Sequence, residues 1–149
     1  MEGRYLSKSK RLDNGEWVVG FYAYIHKKHY IYTGQLIHSG LYDVAERFEV
    51  DSSTICRCTG LNDKNGELIY ENDIMVAHLN RTYPDDKTYQ QVIWNESGFY
   101  SKIKGSEDIE PIDRFDQEWF EVIGNIFDNP ELLNKIEKTY CKDESDLER

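Results

Sequence analysis

Apolar side chains occupy both alternating positions between Trp17 and Ile25. On an extended strand, Trp17, Val19, Phe21, Ala23 and Ile25 share one face and Val18, Gly20, Tyr22 and Tyr24 the other. Both rows are largely apolar, which predicts a strand covered on both sides. Asp13-Asn14-Gly15 marks a tight turn ahead of it, because an Asn-Gly step tolerates positive φ. His26-Lys27-Lys28-His29 reads as the connector that follows. Tyr30-Ile31-Tyr32 and Gln35-Leu36-Ile37-His38 flank Thr33-Gly34, a pattern that predicts a short hairpin. Leu41, Val44, Ala45 and Phe48 recur at helical spacing, so a short helix is expected between Leu41 and Val50.

The remainder of the chain reads mostly as strands divided by sharp turns. Thr54 to Thr59 is β-rich by composition, and Asp63 to Gly66 is a strong turn signal. Glu67 to Tyr70 predicts a short strand. Glu71-Asn72-Asp73 predicts a second reversal, with Asn72 able to enter the left-handed region. A strand from Ile74 to Leu79 leads to a polar loop over Asn80 to Lys87. Thr88 to Trp94 and Phe99 to Ile103 form a hairpin across Asn95-Glu96-Ser97-Gly98. A charged linker, Lys104 to Gln117, precedes the strand Trp119 to Phe127. Asn129 can cap a helix that has Pro130 at its first position and Leu132, Leu133 and Ile136 as its apolar stripe. Lys142 to Arg149 is a charged tail expected to fray.

Composition supplies the core. Eleven Tyr, six Phe and three Trp provide enough large buried area for folding without disulfides or metal. The formal net charge is −10, which disfavours nucleic-acid binding by the surface as a whole. The charge is uneven, however. Residues 1–30 hold six cations (Arg4, Lys8, Lys10, Arg11, Lys27, Lys28) against Glu2, Asp13 and Glu16, a balance of +3, which leaves −13 for the rest. Cys56, Cys58 and Cys141 are odd in number, and the polar start has no apolar leader core. No stretch approaches the ~18 apolar residues of a membrane span. Reduced thiols in a cytoplasm, with no membrane association, are therefore expected.

Reactive groups do not gather into a recognisable pattern. Cys56 and Cys58 would point the same way on a strand, but no second Cys or His pair completes a tetrahedral site. Packing cysteines are the simpler reading. His26, His29, His38 and His78 are scattered, with two lysines between the first pair. No nucleophile elbow or phosphate-cradling glycine loop is present. No catalytic residue, metal ligand or cofactor is expected, and the chain reads as a non-enzyme. Glu107, Asp108, Glu110, Asp113 and Asp116, continued by Glu118 and Glu121, form a dense acidic run. It can be a solvated linker, a patch that meets a basic surface in the manner of a DNA mimic, or a cluster for acid–base or metal chemistry. The basic front interleaves cations with Tyr5, Trp17 and Tyr30. Small barrels bind nucleic acid through such pairs. Arg4, Lys8, Lys10, Arg11, Lys27 and Lys28 are thus candidate nucleic-acid contacts, although Trp17 and Tyr30 fall in strands and core is the simpler reading for them.

Three blocks together resemble the YopX family of phage and prophage proteins: Trp17 to Gly20, Thr59 to Ile74, and Glu121 to Leu133. The resemblance spans about Trp17 to Leu133. It implies a phage-related origin and a mainly β fold built on a small Src-homology-3-type barrel, and it brings no catalytic residues. One departure is Asn72, where the family pattern expects Gly between Glu71 and Asp73; Asn is the next best residue for a left-handed turn. The implied organisation is one domain over 1–149, with an N-terminal strand-rich lobe (1–53), the barrel (54–128), a C-terminal helix (129–141) and a tail (142–149). The implied function is a phage-encoded accessory module that binds a host or phage protein. Nucleic-acid binding through the basic front is the alternative, and an acidic DNA-mimic inhibitor is a second one. Open strand edges would also permit a homo-oligomer.

Overall fold

The computed structural model describes residues 2–78, 87–103, 107–112, 118–132 and 134. The fold is mainly β, and the chain divides into two compact units, Met1–Gly60 and Leu61–Arg149.

The first unit begins with a 3-10 turn, Glu2–Tyr5, and continues through β1 (Ser7–Lys10), β2 (Trp17–Ile25), β3 (Lys28–Ser39) and β4 (Tyr42–Glu49). A second 3-10 turn, Ser52–Thr54, leads into β5 (Cys56–Asn62), which ends in the second unit, where β6 (Leu68–Tyr70) lies. All pairings in this sheet are antiparallel among β1 to β5, and the strand order within the unit is β4-β3-β2-β1-β5. β2 has the predicted bounds. It joins β3 through His26 and Lys27, whose φ values of 49° and 65° make the two-residue turn that suits strand twist.

Three expectations for this unit are corrected. Thr33-Gly34 does not reverse the chain. Gly34, at φ +89°, lies in a register shift between Tyr32 and Leu36, and β3 runs on through it. Such a bulge absorbs extra residues while pairing resumes on the far side. Residues 41–50 are not helical. Tyr42, Val44, Glu46 and Phe48 alternate along β4, because β3 offers a ladder of backbone partners that a helix of this length could not match. Finally, β2 is not covered on both sides: Val19, Phe21, Tyr22 and Tyr24 are all exposed.

The interior of this unit is small. Ile31 and Ser9 are fully buried and Val50 nearly so. Gly20 is required where β2 passes close to β3, because a Cβ there would meet the Tyr32 carbonyl. Ser9 Oγ donates to the Asp51 carbonyl at 2.8 Å and contacts Thr54 Oγ1 at 2.8 Å, while the Lys10 N–H donates to Thr54 Oγ1 at 2.9 Å. This network satisfies the buried hydroxyls and ties β1 to the second 3-10 turn. A single bridge, Arg11 to Val50, joins the chain after β1 to the chain after β4.

The second unit is organised by two aspartates. Asp63 Oδ1 accepts the N–H groups of Asn65 and Glu67, each at 2.9 Å, and Oδ2 accepts the Val122 N–H at 3.0 Å. Asp73 Oδ2 accepts the Tyr70 N–H at 2.8 Å across the turn in which Asn72 adopts φ 70°. Both predicted reversals are therefore present, and both are held by buried carboxylates. β7 (Asp73–His78), β8 (Lys87–Asn95), β9 (Gly98–Lys102), β10 (Ile109–Pro111) and β11 (Phe120–Asn125) form an antiparallel sheet in the order β10-β9-β8-β7-β11. Met75, Ala77, Val92 and Phe120 pack with Ile69 on one side of it. Ile74 packs with Leu132 on the other, flanked by Tyr89, Ile103 and Ile126. A shift between Val122 and Gly124 bends β11.

The described strands make two open sheets rather than the expected Src-homology-3-type barrel over 54–128. β5 aligns with β1 to β4, and β7 to β11 end on two different edges, β10 and β11. β10 is three residues long and ends in Pro111, which lacks the N–H needed to carry a ladder further. The same strand corrects the expectation of an unstructured linker from Lys104 to Gln117. The expected helix over 129–141 is not supported by the described residues. At its start the Leu132 N–H donates to the Asn129 carbonyl at 3.0 Å and the Asn134 N–H to the Glu131 carbonyl at 3.2 Å. These bonds make a turn, and most of 129–141, with the tail 142–149 and the loop 80–86, lies outside the described residues.

Candidate nucleic-acid interface

Strand register decides which side chains share a face, because residues paired directly across antiparallel strands project the same way. In β1 and β2, Lys8 is opposite Val19 and Lys10 opposite Trp17. In β2 and β3, Phe21 is opposite Tyr32, Ala23 opposite Tyr30 and Ile25 opposite Lys28. In β3 and β4, Tyr32 is opposite Arg47 and Tyr30 opposite Glu49. One face of the four strands therefore carries Trp17, Phe21, Tyr30 and Tyr32 with Lys8, Lys10, Lys28 and Arg47, against a single acid, Glu49.

These groups interact. The Lys8 Nζ sits 4.8 Å and the Lys10 Nζ 5.4 Å from the Trp17 ring centroid. The Arg47 guanidinium carbon lies 4.1 Å from the Tyr30 centroid, and its Nη1 donates to Tyr32 Oη at 3.2 Å. That hydrogen bond, followed by a smaller opposing desolvation, holds the Arg47 pKa above its ordinary value. Lys28 Nζ reaches Glu49 at 4.0 Å. Trp17, Tyr30 and Tyr32 are half-buried, and Phe21 and Arg47 are exposed. The result is a cationic, aromatic surface on a chain of net charge −10.

The six predicted basic contacts are divided by the structure. Lys8, Lys10 and Lys28 lie on this face. Arg11 does not, because it follows Lys10 in the alternation. It forms a bidentate pair with Asp13 at 2.9 and 2.6 Å and covers the Phe48 ring at 3.9 Å. That pairing raises the Arg11 pKa and lowers that of Asp13. Lys27 is at the β2–β3 turn, and Arg4 is in the first 3-10 turn, 5.5 Å from the Tyr5 ring. Arg47 was not among the sequence candidates, because a helix across 41–50 hides its cross-strand partner.

The other sequence candidates form no comparable constellation. Glu107, Asp108 and Glu110 are exposed at or just before β10, and Asp113 and Asp116 lie outside the described residues. Glu118 is exposed, while Glu121 pairs with Lys64 at 3.4 Å. Cys56 and Cys58 are buried neighbours on β5. Cys56 Sγ donates to the Thr54 carbonyl at 3.2 Å, and Cys58 Sγ accepts the Gly60 N–H at 3.4 Å. Cys141 lies outside the described residues. His29 meets Tyr22 Oη at 2.6 Å, and His38 meets Asp43 at 2.5 Å. Among the described residues, no three His, Cys, Asp or Glu side chains come together as metal ligands. No helix among them is long and apolar enough to cross a membrane.

Comparison with known proteins adds a family and a fold. No curated protein matches the chain. The crystal structure of protein EF1440 from Enterococcus faecalis is similar at a TM-score of 0.57 and 22% identity, covering 85% of this chain and 96% of that one. This likeness concerns the fold alone. A family model described as "YopX protein" matches residues 12–134. The chain belongs to the YopX family.

Proposed function

We propose that the protein is a non-catalytic macromolecule-binding module, and that the aromatic, cationic face of β1 to β4 binds single-stranded nucleic acid. The observation that carries this reading is the placement of Trp17, Phe21, Tyr30 and Tyr32 among Lys8, Lys10, Lys28 and Arg47 on one open sheet face. Stacking platforms for single strands combine these two elements: rings for base faces and cations for phosphates. Duplex is the poorer fit, because this face is a broad sheet with neither a helix nor a projecting side-chain row to enter a groove.

Magnitudes favour the exchange that binding requires. Each exposed cation–π contact is worth about 0.5–1 kcal/mol, whereas a stacked base contributes about 1–3 kcal/mol. A lysine lifted from Trp17 towards a phosphate gives up the smaller term. Four cations engaging four phosphates predict a log–log salt slope near −3, or about a 50-fold loss of affinity between 50 and 200 mM salt. The phage and prophage setting of the family makes a replication or host-defence complex in the cytoplasm a suitable place for such a module.

The test is fluorescence anisotropy with labelled 12-mer oligothymidine and oligouridine at 50 mM salt, together with Trp17 emission, taken as the difference between the parent and Trp17→Phe because the chain has three Trp. Binding, quenching of Trp17, the stated salt slope, and at least 10-fold weakening by Arg47→Ala are expected. No binding at ~100 μM protein, or equal binding by Arg47→Ala, overturns the reading. Equal affinity for duplex overturns its single-strand specificity.

A further inference from the structure

The β3–β4 hairpin leaves its sheet. β2 pairs with β3 only from Lys28 to Tyr32, and past the bulge at Gly34 only β4 remains beside it. The pairs Leu36–Ala45, Ile37–Val44, His38–Asp43 and Ser39–Tyr42 then continue as a two-stranded ribbon, turned by Gly40 at φ 63°. Every residue from 34 to 45 is exposed.

The ribbon is unusually apolar for so open an element. Leu36 is 69% exposed, Ile37 47%, Leu41 94%, Tyr42 75% and Val44 51%. Ile37, Tyr42 and Val44 share one face, Leu36 lies on the other, and Leu41 forms the tip. A two-stranded ribbon is marginal in water without something covering a face. His38 and Asp43, in contact at 2.5 Å, lie on the Leu36 side, so the side with Ile37, Tyr42 and Val44 carries no charged residue.

We propose that this ribbon is the subunit contact of a two-fold homodimer, the ribbon of one copy lying against the ribbon of a second. Area supports a second copy as the occupant. At about 200 Å² for a fully exposed large side chain, Ile37, Tyr42 and Val44 on one face and Leu41 at the tip offer about 530 Å² per copy, or about 1,100 Å² in a symmetric pair, at the lower end of specific interfaces. Charge supports it too. Two copies of a chain with net charge −10 repel over most of their surfaces, and the side of the ribbon with Ile37, Tyr42 and Val44 is a stretch where they meet without like charges. β4 is also an edge strand, and antiparallel association of identical edges is itself two-fold. The ribbon projects from the strands that carry the proposed binding face, but this inference rests on none of that face's residues.

Sedimentation equilibrium on the full chain tests it. At ~50 μM, a mass twice the 17.6 kDa of one chain is expected. The double variant Ile37→Lys, Val44→Lys should weaken association at least 100-fold while keeping the parental far-ultraviolet circular dichroism. Leu12→Lys, at another exposed apolar position outside the ribbon, should remain dimeric. A second ribbon variant, Leu41→Asp, guards against misfolding of the first, and it too should weaken the dimer. A monomeric parent at this concentration overturns the proposal, as does a dimer that survives both ribbon variants.

Discussion

Replacing Asp63 by Ala removes one buried carboxylate and strands three backbone donors. Asp63 is only 4% exposed. Its Oδ1 holds the N–H groups of Asn65 and Glu67, and its Oδ2 holds that of Val122, so one side chain fixes the β5–β6 turn and anchors β11 to it. A hydrogen bond to a charged acceptor contributes about 1.5–3 kcal/mol. Asn65 and Glu67 are at the surface, where water replaces part of what is lost, whereas Val122 is half-buried. The total expected cost is about 3 kcal/mol, or roughly 10 °C in Tm for a chain of this size. Asp63→Asn separates the contributions. Its amide oxygen can keep the two turn bonds, but its NH₂ group then faces the Val122 N–H, so about half the cost remains. Urea unfolding followed by Trp fluorescence measures both variants, and hydrogen exchange at the Val122 amide reports the lost contact directly. The reasoning is refuted if Asp63→Ala stays within ~0.5 kcal/mol of the parent, or if Val122 keeps its protection.

Asn72 makes a second, conformational test. At φ 70°, Asn72→Gly should lie within ~0.5 kcal/mol of the parent, the relaxed backbone offsetting the lost 3.3 Å bond from Gln91, while Asn72→Ala should cost about 1 kcal/mol by thermal unfolding. Asp13 makes a pH test. The hydrogen bond from Arg11 lowers its pKa below the ordinary 3.8, so its stabilisation is present above that value and lost as pH falls through the lowered native one. Asp13→Asn should therefore differ from the parent at neutral pH and converge with it in acid, and a gap between their urea midpoints that stays constant down to pH ~2 would contradict this.

Local features of this protein were legible in its residue order because their causes are local. Asn14-Gly15, Asp63 to Gly66, Asn72, and Asn95 to Gly98 specify reversals through the φ values they accept and the side-chain bonds they make within a few residues. The alternation in Trp17 to Ile25 specifies a strand for the same reason. The reversals at Asp63 to Gly66 and Asn72 both lie inside the family block Thr59 to Ile74. What alternation cannot state is what covers each face. Tyr22 and Tyr24 lie open, and Gly34 becomes a bulge rather than a turn, because β4 is available to continue the ladder.

The candidate site shows the same division. Lys8, Lys10 and Lys28 could be chosen from sequence as cations near aromatics. Arg11 could not be separated from them until the register placed it on the opposite face with Asp13 and Phe48. Arg47 could not be found at all while 41–50 read as a helix, since its partners Tyr30 and Tyr32 are distant in sequence and adjacent only across β3 and β4. Sequence by itself determined the mainly β class, the reversals at Asn14-Gly15, Asp63 to Gly66, Asn72 and Asn95 to Gly98, and the YopX character, all set by short-range stereochemistry. Tertiary structure alone decided the open sheets, the freestanding ribbon and the shared face of rings and cations, because each depends on which strands pair and in which register.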